Sequence, residues 1–333
     1  MKFPVRIALA VTGALSVISL SASLMLLRGL LSQGDTAPGS ARFHLALFVP
    51  RDGGSFFETL AEGALQAAAE NDAALSIHYL GPDSLSLEFA SLLGADGIAV
   101  CPGGSEVEER VGLESISAAG LPLVLINRSV PSDLPRPFVG VNNYDWGKRA
   151  GSFVESSLRR PGTLAVIYSD KAPSVLAERE LFEMGLNQAL GEGRASRLGG
   201  SAETPIASWK TGLNPQDAEH IVYEIVHGTP DLSGVIFTDE HDTVAGCQAL
   251  IDLNLVGRIS IVGAGSQKAI EDYVRKGIMA GSVVVDPSVI GQTAINSLVE
   301  LCATGYTSNS VDTGISVIER ETLARSRVAR TRK

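Results

Sequence analysis

The sequence is short of cysteine and of aromatic side chains. It has three cysteines in 333 residues, and aromatics make up 5% of the chain. Cys101, Cys247 and Cys302 are widely spaced with no CxxC pair, so zinc knuckles and thioredoxin-like dithiols have no footing. An odd count argues against a disulfide framework, and each thiol sits in or beside an apolar segment, as buried inert cysteines do. Enzyme signatures are lacking too. Gly263-Ala264-Gly265 follows a strand pattern, but Lys268 stands where a dinucleotide fingerprint needs its third glycine. Gly140 and Gly147-Lys148 are too far apart for a phosphate loop, and Arg149 replaces the magnesium-binding Ser or Thr. His220 and His227 lack the four-residue spacing of a helical zinc pair and read as solvated or half-buried. Glu240-His241-Asp242 is a compact acid and base cluster with no GxSxG elbow to serve. The chain is therefore expected not to be an enzyme, and no cofactor or metal is implied.

A basic body is also missing. The net charge is -10, yet residues 1–42 sum to +3 and residues 320–333 to +5, which leaves the body at -18. Neutralising phosphates requires the opposite sign, so a nucleic-acid partner is excluded.

What is present begins with Lys2 and Arg6 ahead of an uncharged run over residues 7–27. A signal-peptide core spans about 7 to 15 residues and a membrane helix about 20. The run therefore favours an uncleaved apolar anchor helix, with the body held outside the inner membrane by the basic residues on the short side. Leu20-Ser21-Ala22-Ser23 resembles a lipoprotein box in which Ser23 replaces the lipid-carrying cysteine, so lipidation is not available, while cleavage near Ser21 or Ser23 stays open. Residues 1–31 are thus a signal anchor or signal peptide. Residues 32–42, with Gly34, Pro38 and Gly39, form a linker, and residues 324–333 a basic tail.

Between these ends, nearly continuous apolar runs predict strands at 43–49, 75–80, 97–101, 122–126, 138–141, 164–168, 234–237, 259–263 and 282–285. Helical patterns alternate with them at 56–70, 107–119, 146–159, 175–190, 215–226, 243–254, 268–276 and 289–302. Nine strands and eight helices exceed one compact open sheet. The fold class is α/β, as two doubly wound parallel-sheet lobes whose ligand site lies at the carboxyl ends of the strands.

Five stretches at the strand ends carry a resemblance: Ser55-Phe56-Phe57 with Gly63-Ala64; Gly94-Ala95-Asp96-Gly97-Ile98; Gly120 through Asn127-Arg128; Val139-Gly140-Val141-Asn142-Asn143-Tyr144; and Ala177-Glu178-Arg179 ahead of Gly185. In order and spacing over about 280 residues they resemble the periplasmic sugar-binding proteins of the type I fold, the ribose and galactose binders. No DNA-reading domain precedes them, so the related repressors do not fit. The resemblance implies a hinge with three crossovers, near Val141, Val285 and Thr313. The N-terminal lobe would then take residues 43–140 plus 286–312, and the C-terminal lobe 141–285 plus 313–323.

It also implies ligand contacts. Phe56, Phe57 and Trp209 can offer rings to sugar C–H faces, and Arg128, Arg179 and Asn127 can offer donors and acceptors to hydroxyls. Each has a plainer reading: one of the phenylalanines as core, Trp209 as a partly exposed surface ring, Arg179 as a solvated partner of nearby glutamates. Asn127 and Gly265 stand where the family usually has acids, Gly54 where it has Asn, Val285 where it has Gln or Asn, and Glu240 replaces another Asn. Two arginines would thus outnumber the acceptors, which points to an acidic sugar derivative over a neutral sugar. The implied function is an extracytoplasmic solute receptor feeding an ABC-type importer. The alternative is a membrane-tethered sensory or interaction domain that signals to a partner.

Overall fold

The computed structural model describes residues 41–51, 54–81, 87–103, 106–130, 136–171, 175–176, 178–198, 204–214 and 216–324. The chain divides into Met1–Arg42 and a compact unit, Phe43–Lys333. The expected anchor at 7–27, most of the linker and most of the basic tail lie outside the described residues. Among the described residues no helix is long and apolar enough to cross a membrane.

Two six-stranded sheets form the compact unit. The first contains β1 (Phe43–Pro50), β2 (Ala73–Leu80), β3 (Gly97–Val100), β4 (Leu123–Ile126), β5 (Phe138–Gly140) and β11 (Ser310–Asp312), in the order β11-β5-β4-β3-β1-β2 and parallel throughout. The second contains β6 (Thr163–Ser169), β7 (Ile206–Thr211), β8 (Leu232–Phe237), β9 (Ser260–Ala264), β10 (Gly281–Val284) and β12 (Ser316–Ile318), in the order β12-β10-β9-β8-β6-β7. All its pairs are parallel except β12, which runs antiparallel on the edge.

Helices cover both faces. In the N-terminal lobe Leu45, Leu47 and Val49 point to α1 (Gly54–Glu70) and α8 (Pro287–Thr304), while Ala46 and Phe48 point to a 3-10 turn (Leu87–Leu92) and α2 (Glu106–Ala118). In the other lobe Leu164, Val166 and Tyr168 meet α3 (Asn143–Ser157) and α4 (Arg179–Leu198). Ala165 and Ile167 meet α5 (Asp217–Gly228), α6 (Glu240–Asp252) and α7 (Lys268–Lys276). A strand with an apolar residue on each face is an uninterrupted apolar run, which is why the sequence pattern finds it. Close helix crossings explain two conspicuous glycines. A Cβ at Gly63 would land on the Ser288 carbonyl of α8, and one at Gly185 on the Tyr144 carbonyl of α3.

Three strands lie outside the expected set. The edge strands β7, β11 and β12 lack a fully apolar run because each is half-exposed, and the pattern passes over them. The chain passes between the sheets at Gly140–Asn143, Val284–Pro287 and Asp312–Ser316. Asn142 caps α3 by accepting from the Tyr144 and Asp145 amides, and Asp286 caps α8, with Pro287 in its first turn. The first and third passages are tied directly, by Asn142 N–H to Asp312 Oδ1 (3.1 Å) and by Thr313 N–H to the Gly140 carbonyl (2.8 Å). Val285 and Ile315 pack against the cores of both lobes.

Candidate functional site

Parallel strands bring their carboxyl ends, and the loops that follow, to one rim of each lobe. After β4 the chain turns sharply at Asn127, whose φ of 61° lies in the left-handed region that Asn tolerates better than most residues. Its amide continues the ladder to the Val139 carbonyl (2.8 Å), and its side chain is 3% exposed with Oδ1 lacking any hydrogen-bond partner. A buried acceptor left unpaired costs about 1–3 kcal/mol, and such a group calls for a partner.

Beside it, Arg128 Nη1 lies 3.4 Å from Glu109 Oε2. The other oxygen of Glu109 accepts from the Gly103 amide after β3 (2.5 Å). The pair lies close to Cys101, whose thiol is pushed far up by burial and further by the Glu109 charge. Phe57 is buried in the core between the sheet and α1, and the partly buried Phe56 packs against that core, the two rings 5.2 Å apart and edge-on.

On the other rim, Arg179 opens α4. It donates from Nε to Glu183 Oε1 (2.7 Å) and from Nη2 to Ser208 Oγ (2.8 Å), and it lies over the Tyr168 ring at 5.2 Å. The Tyr168 hydroxyl donates to the same Glu183 oxygen (2.9 Å), and burial with that neighbour pushes the phenol well up. Glu178, the residue before Arg179, accepts from Asn143 Nδ2 (2.7 Å), which ties the start of α4 to the crossover. Trp209 stands on edge strand β7 opposite Ile167 and packs against the α5, α6 and α7 side of the sheet, so its ring belongs with that core. Glu240, first in α6, reaches across to β9: its Oε1 accepts from the Ser266 and Gln267 amides (2.6 and 2.7 Å) ahead of α7.

The expected surplus of arginine charge is not found. Arg128 is matched by the buried Glu109 and Arg179 by Glu183, and Glu240 brings a further carboxylate to the strand ends. Sequence reasoning missed a second buried polar group. Lys171 Nζ donates to Asp242 Oδ1 (2.9 Å) and to the Gly212 carbonyl (2.8 Å), and the Thr211 hydroxyl donates to Asp242 Oδ2. This network pins the loop after β6 to the ends of β7 and α6, and no local motif signals it because its charged partners are 71 residues apart. Among the described residues no group of three or more His, Cys, Asp or Glu is placed to hold a metal ion.

Residues 45–306, most of the compact unit, match the periplasmic binding protein domain family. The chain belongs to that family. As a periplasmic binding protein it shares its fold with non-enzymatic solute-binding proteins. A glucose-galactose binding protein from Geobacillus stearothermophilus has 22% identity and a TM-score of 0.68, covering 84% of this chain and 98% of its own. A periplasmic ribose ABC transporter protein from Conexibacter woesei has 21% identity and a TM-score of 0.65 over 85% of this chain and 93% of its own. A Caulobacter myo-inositol binding protein has 17% identity and a TM-score of 0.71 over 88% and 98%. At these identities the likeness is one of fold. No curated protein sequence matches this periplasmic binding protein.

Proposed function

We propose that this protein is an extracytoplasmic receptor that closes its two lobes on one small, neutral, polyhydroxylated solute, a sugar or cyclitol, and hands it to an ABC-type importer. The observation that carries this reading is the pairing of Asn127 with Arg128. Asn127 Oδ1 is an acceptor without a donor. Its neighbour Arg128 has guanidinium N–H groups to spare and a charge already balanced by Glu109. A hydroxyl both donates and accepts, so one ligand hydroxyl satisfies the pair, whereas a carboxylate can only accept. Phe56, partly buried in the first turn of α1, offers apolar surface from the same lobe, and Arg179 and Glu240 offer a donor and an acceptor from the second.

Solved proteins of this fold that bind glucose and galactose, ribose and myo-inositol support the same ligand class. The apolar run at 7–27, as signal anchor or signal peptide, fits export of the body. The short crossovers, with Val285 and Ile315 bridging both cores, suit hinge closure.

Thermal-shift and calorimetric titration with D-glucose, D-galactose, D-ribose, D-allose and myo-inositol tests this. A true ligand at 100 times its Kd adds about 2.7 kcal/mol of stability. Arg128→Ala should remove most of that shift. An undiminished shift in the variant means the site lies elsewhere, and no response to any neutral polyol means the ligand class is wrong.

A further inference from the structure

Glu109 joins two strand ends of the N-terminal lobe. It projects from α2, is 5% exposed, and holds the Gly103 amide after β3 with one oxygen and Arg128 Nη1 after β4 with the other. A carboxylate so buried is tolerable only when paired and hydrogen-bonded. Arg128 retains 20% side-chain exposure, so the pair is covered on the Glu109 side and open on the arginine side.

Resting on the reading of these strand ends as a polyol site, we propose that Glu109 is a positioning and specificity-determining residue: it fixes the Arg128 guanidinium as a charge-balanced hydrogen-bond donor and so excludes anionic solutes. A guanidinium without a counter-ion attracts carboxylates and phosphates, often through two parallel hydrogen bonds. With Glu109 behind it, an anion that reaches Arg128 brings a second negative charge close to the first in a partly desolvated place. A hydroxyl brings none. Discrimination by a repulsive element of this kind adds to whatever the attractive contacts supply. Arg179 with Glu183 repeats the pairing on the second lobe, but that arginine is 48% exposed and its charge is better screened, so Glu109 dominates.

Calorimetry with matched probes tests this: D-galactose against D-galacturonate and D-glucose against D-glucuronate. The wild-type protein should prefer the neutral member of whichever pair it binds. Glu109→Gln keeps the shape and an acceptor for Gly103 while removing the charge. It should move the neutral-to-anion affinity ratio toward the anion by about 10-fold, more at low salt, since charge interactions at a partly exposed site are screened by salt. Arg128→Gln, which removes the positive charge beside Glu109, should move the ratio the other way and serves if Glu109→Gln does not fold. Equal weakening of both members in Glu109→Gln, or a ratio unmoved in Arg128→Gln, overturns the role of Glu109 while the polyol reading stands. If neither pair binds, D-ribose against D-ribose 5-phosphate is read in the same way, and a wild-type protein that binds none of these and no other neutral polyol overturns both.

Discussion

Glu240 occupies the volume that a side chain at position 265 would need. Gly265 has a φ of 91°, and a Cβ built there would overlap Glu240 Cβ, Cγ and Oε1. The carboxylate is held in that space by the Ser266 and Gln267 amides, so the end of β9 takes its acid from the neighbouring helix α6 instead of from its own strand end. The two positions depend on each other: glycine makes room, and glutamate fills it.

Gly265→Ala should therefore destabilise the protein by about 1–3 kcal/mol, from the left-handed backbone together with the overlap. Glu240→Ala removes Cγ and Oε1, two of the three overlapping atoms, so the double variant should lose less than the two singles combined, by at least about 0.5 kcal/mol in urea unfolding. Strict additivity would mean the two side chains do not share this volume.

Two helix glycines should respond with opposite signs. At Gly147 in α3 an added Cβ would strike the Phe182 carbonyl of α4, which is backbone and cannot turn aside. The helix-propensity gain of alanine, about 1 kcal/mol, is smaller than the cost of forcing packed backbones apart, typically 1–3 kcal/mol or more. Gly147→Ala should lower the unfolding free energy. Gly191 in α4 has nothing within 4 Å of such a Cβ and is exposed, so Gly191→Ala should raise it by about 0.5–1 kcal/mol. Chemical denaturation of the two variants side by side checks both signs.

The sequence made the architecture legible wherever strands are buried on both faces. Residues 43–49, 97–101 and 164–168 are apolar runs that coincide with β1, β3 and β6 to within a residue or two. Three of the four edge strands were not legible: Ile206–Thr211 is half-exposed and mixes Ser, Trp and Lys, whereas the edge strand β2 keeps enough apolar residues to be expected at 75–80. Among site residues, Arg128 stood out by its place after a strand. Its partner Glu109 did not, because it lies among Glu106 and Glu108 in a run that reads as a solvated helix face, 19 residues from the arginine it meets. Charge balance is a tertiary property here, and counting residues at the strand ends overstated the positive charge for that reason.

Asp312 links the crossovers through one oxygen, which accepts from Asn142 N–H (3.1 Å) and from Gly314 N–H (2.9 Å). Asp312→Ala should cost about 1 kcal/mol, the usual net worth of such bonds at a partly solvated place. It should also widen the range of lobe separations in the unliganded protein. Small-angle scattering would record this as a larger radius of gyration, and an unchanged radius with unchanged stability would show that the other links suffice.

The last prediction concerns pH. Asp239 caps α6, with Oδ1 accepting from the Asp242 amide (3.0 Å), yet its pKa is raised above the ordinary 3.8, chiefly by burial, with the Asp242 charge adding to the rise. His241, with Nδ1 4.0 Å away, and Lys171 oppose that rise. A carboxyl whose folded pKa is raised holds its proton more tightly in the native state, so its ionisation opposes folding above the folded pKa. That cost fades as pH falls and is gone below the unfolded value. Asparagine is an equally good cap and carries no charge. Asp239→Asn should therefore be at least as stable as the wild type at pH 7, and its relative advantage should shrink steadily toward pH 4. Urea midpoints for both proteins between pH 7 and pH 4 test this. A variant that is markedly less stable at pH 7 would mean that the pairing with His241 and Lys171 outweighs the desolvation of Asp239.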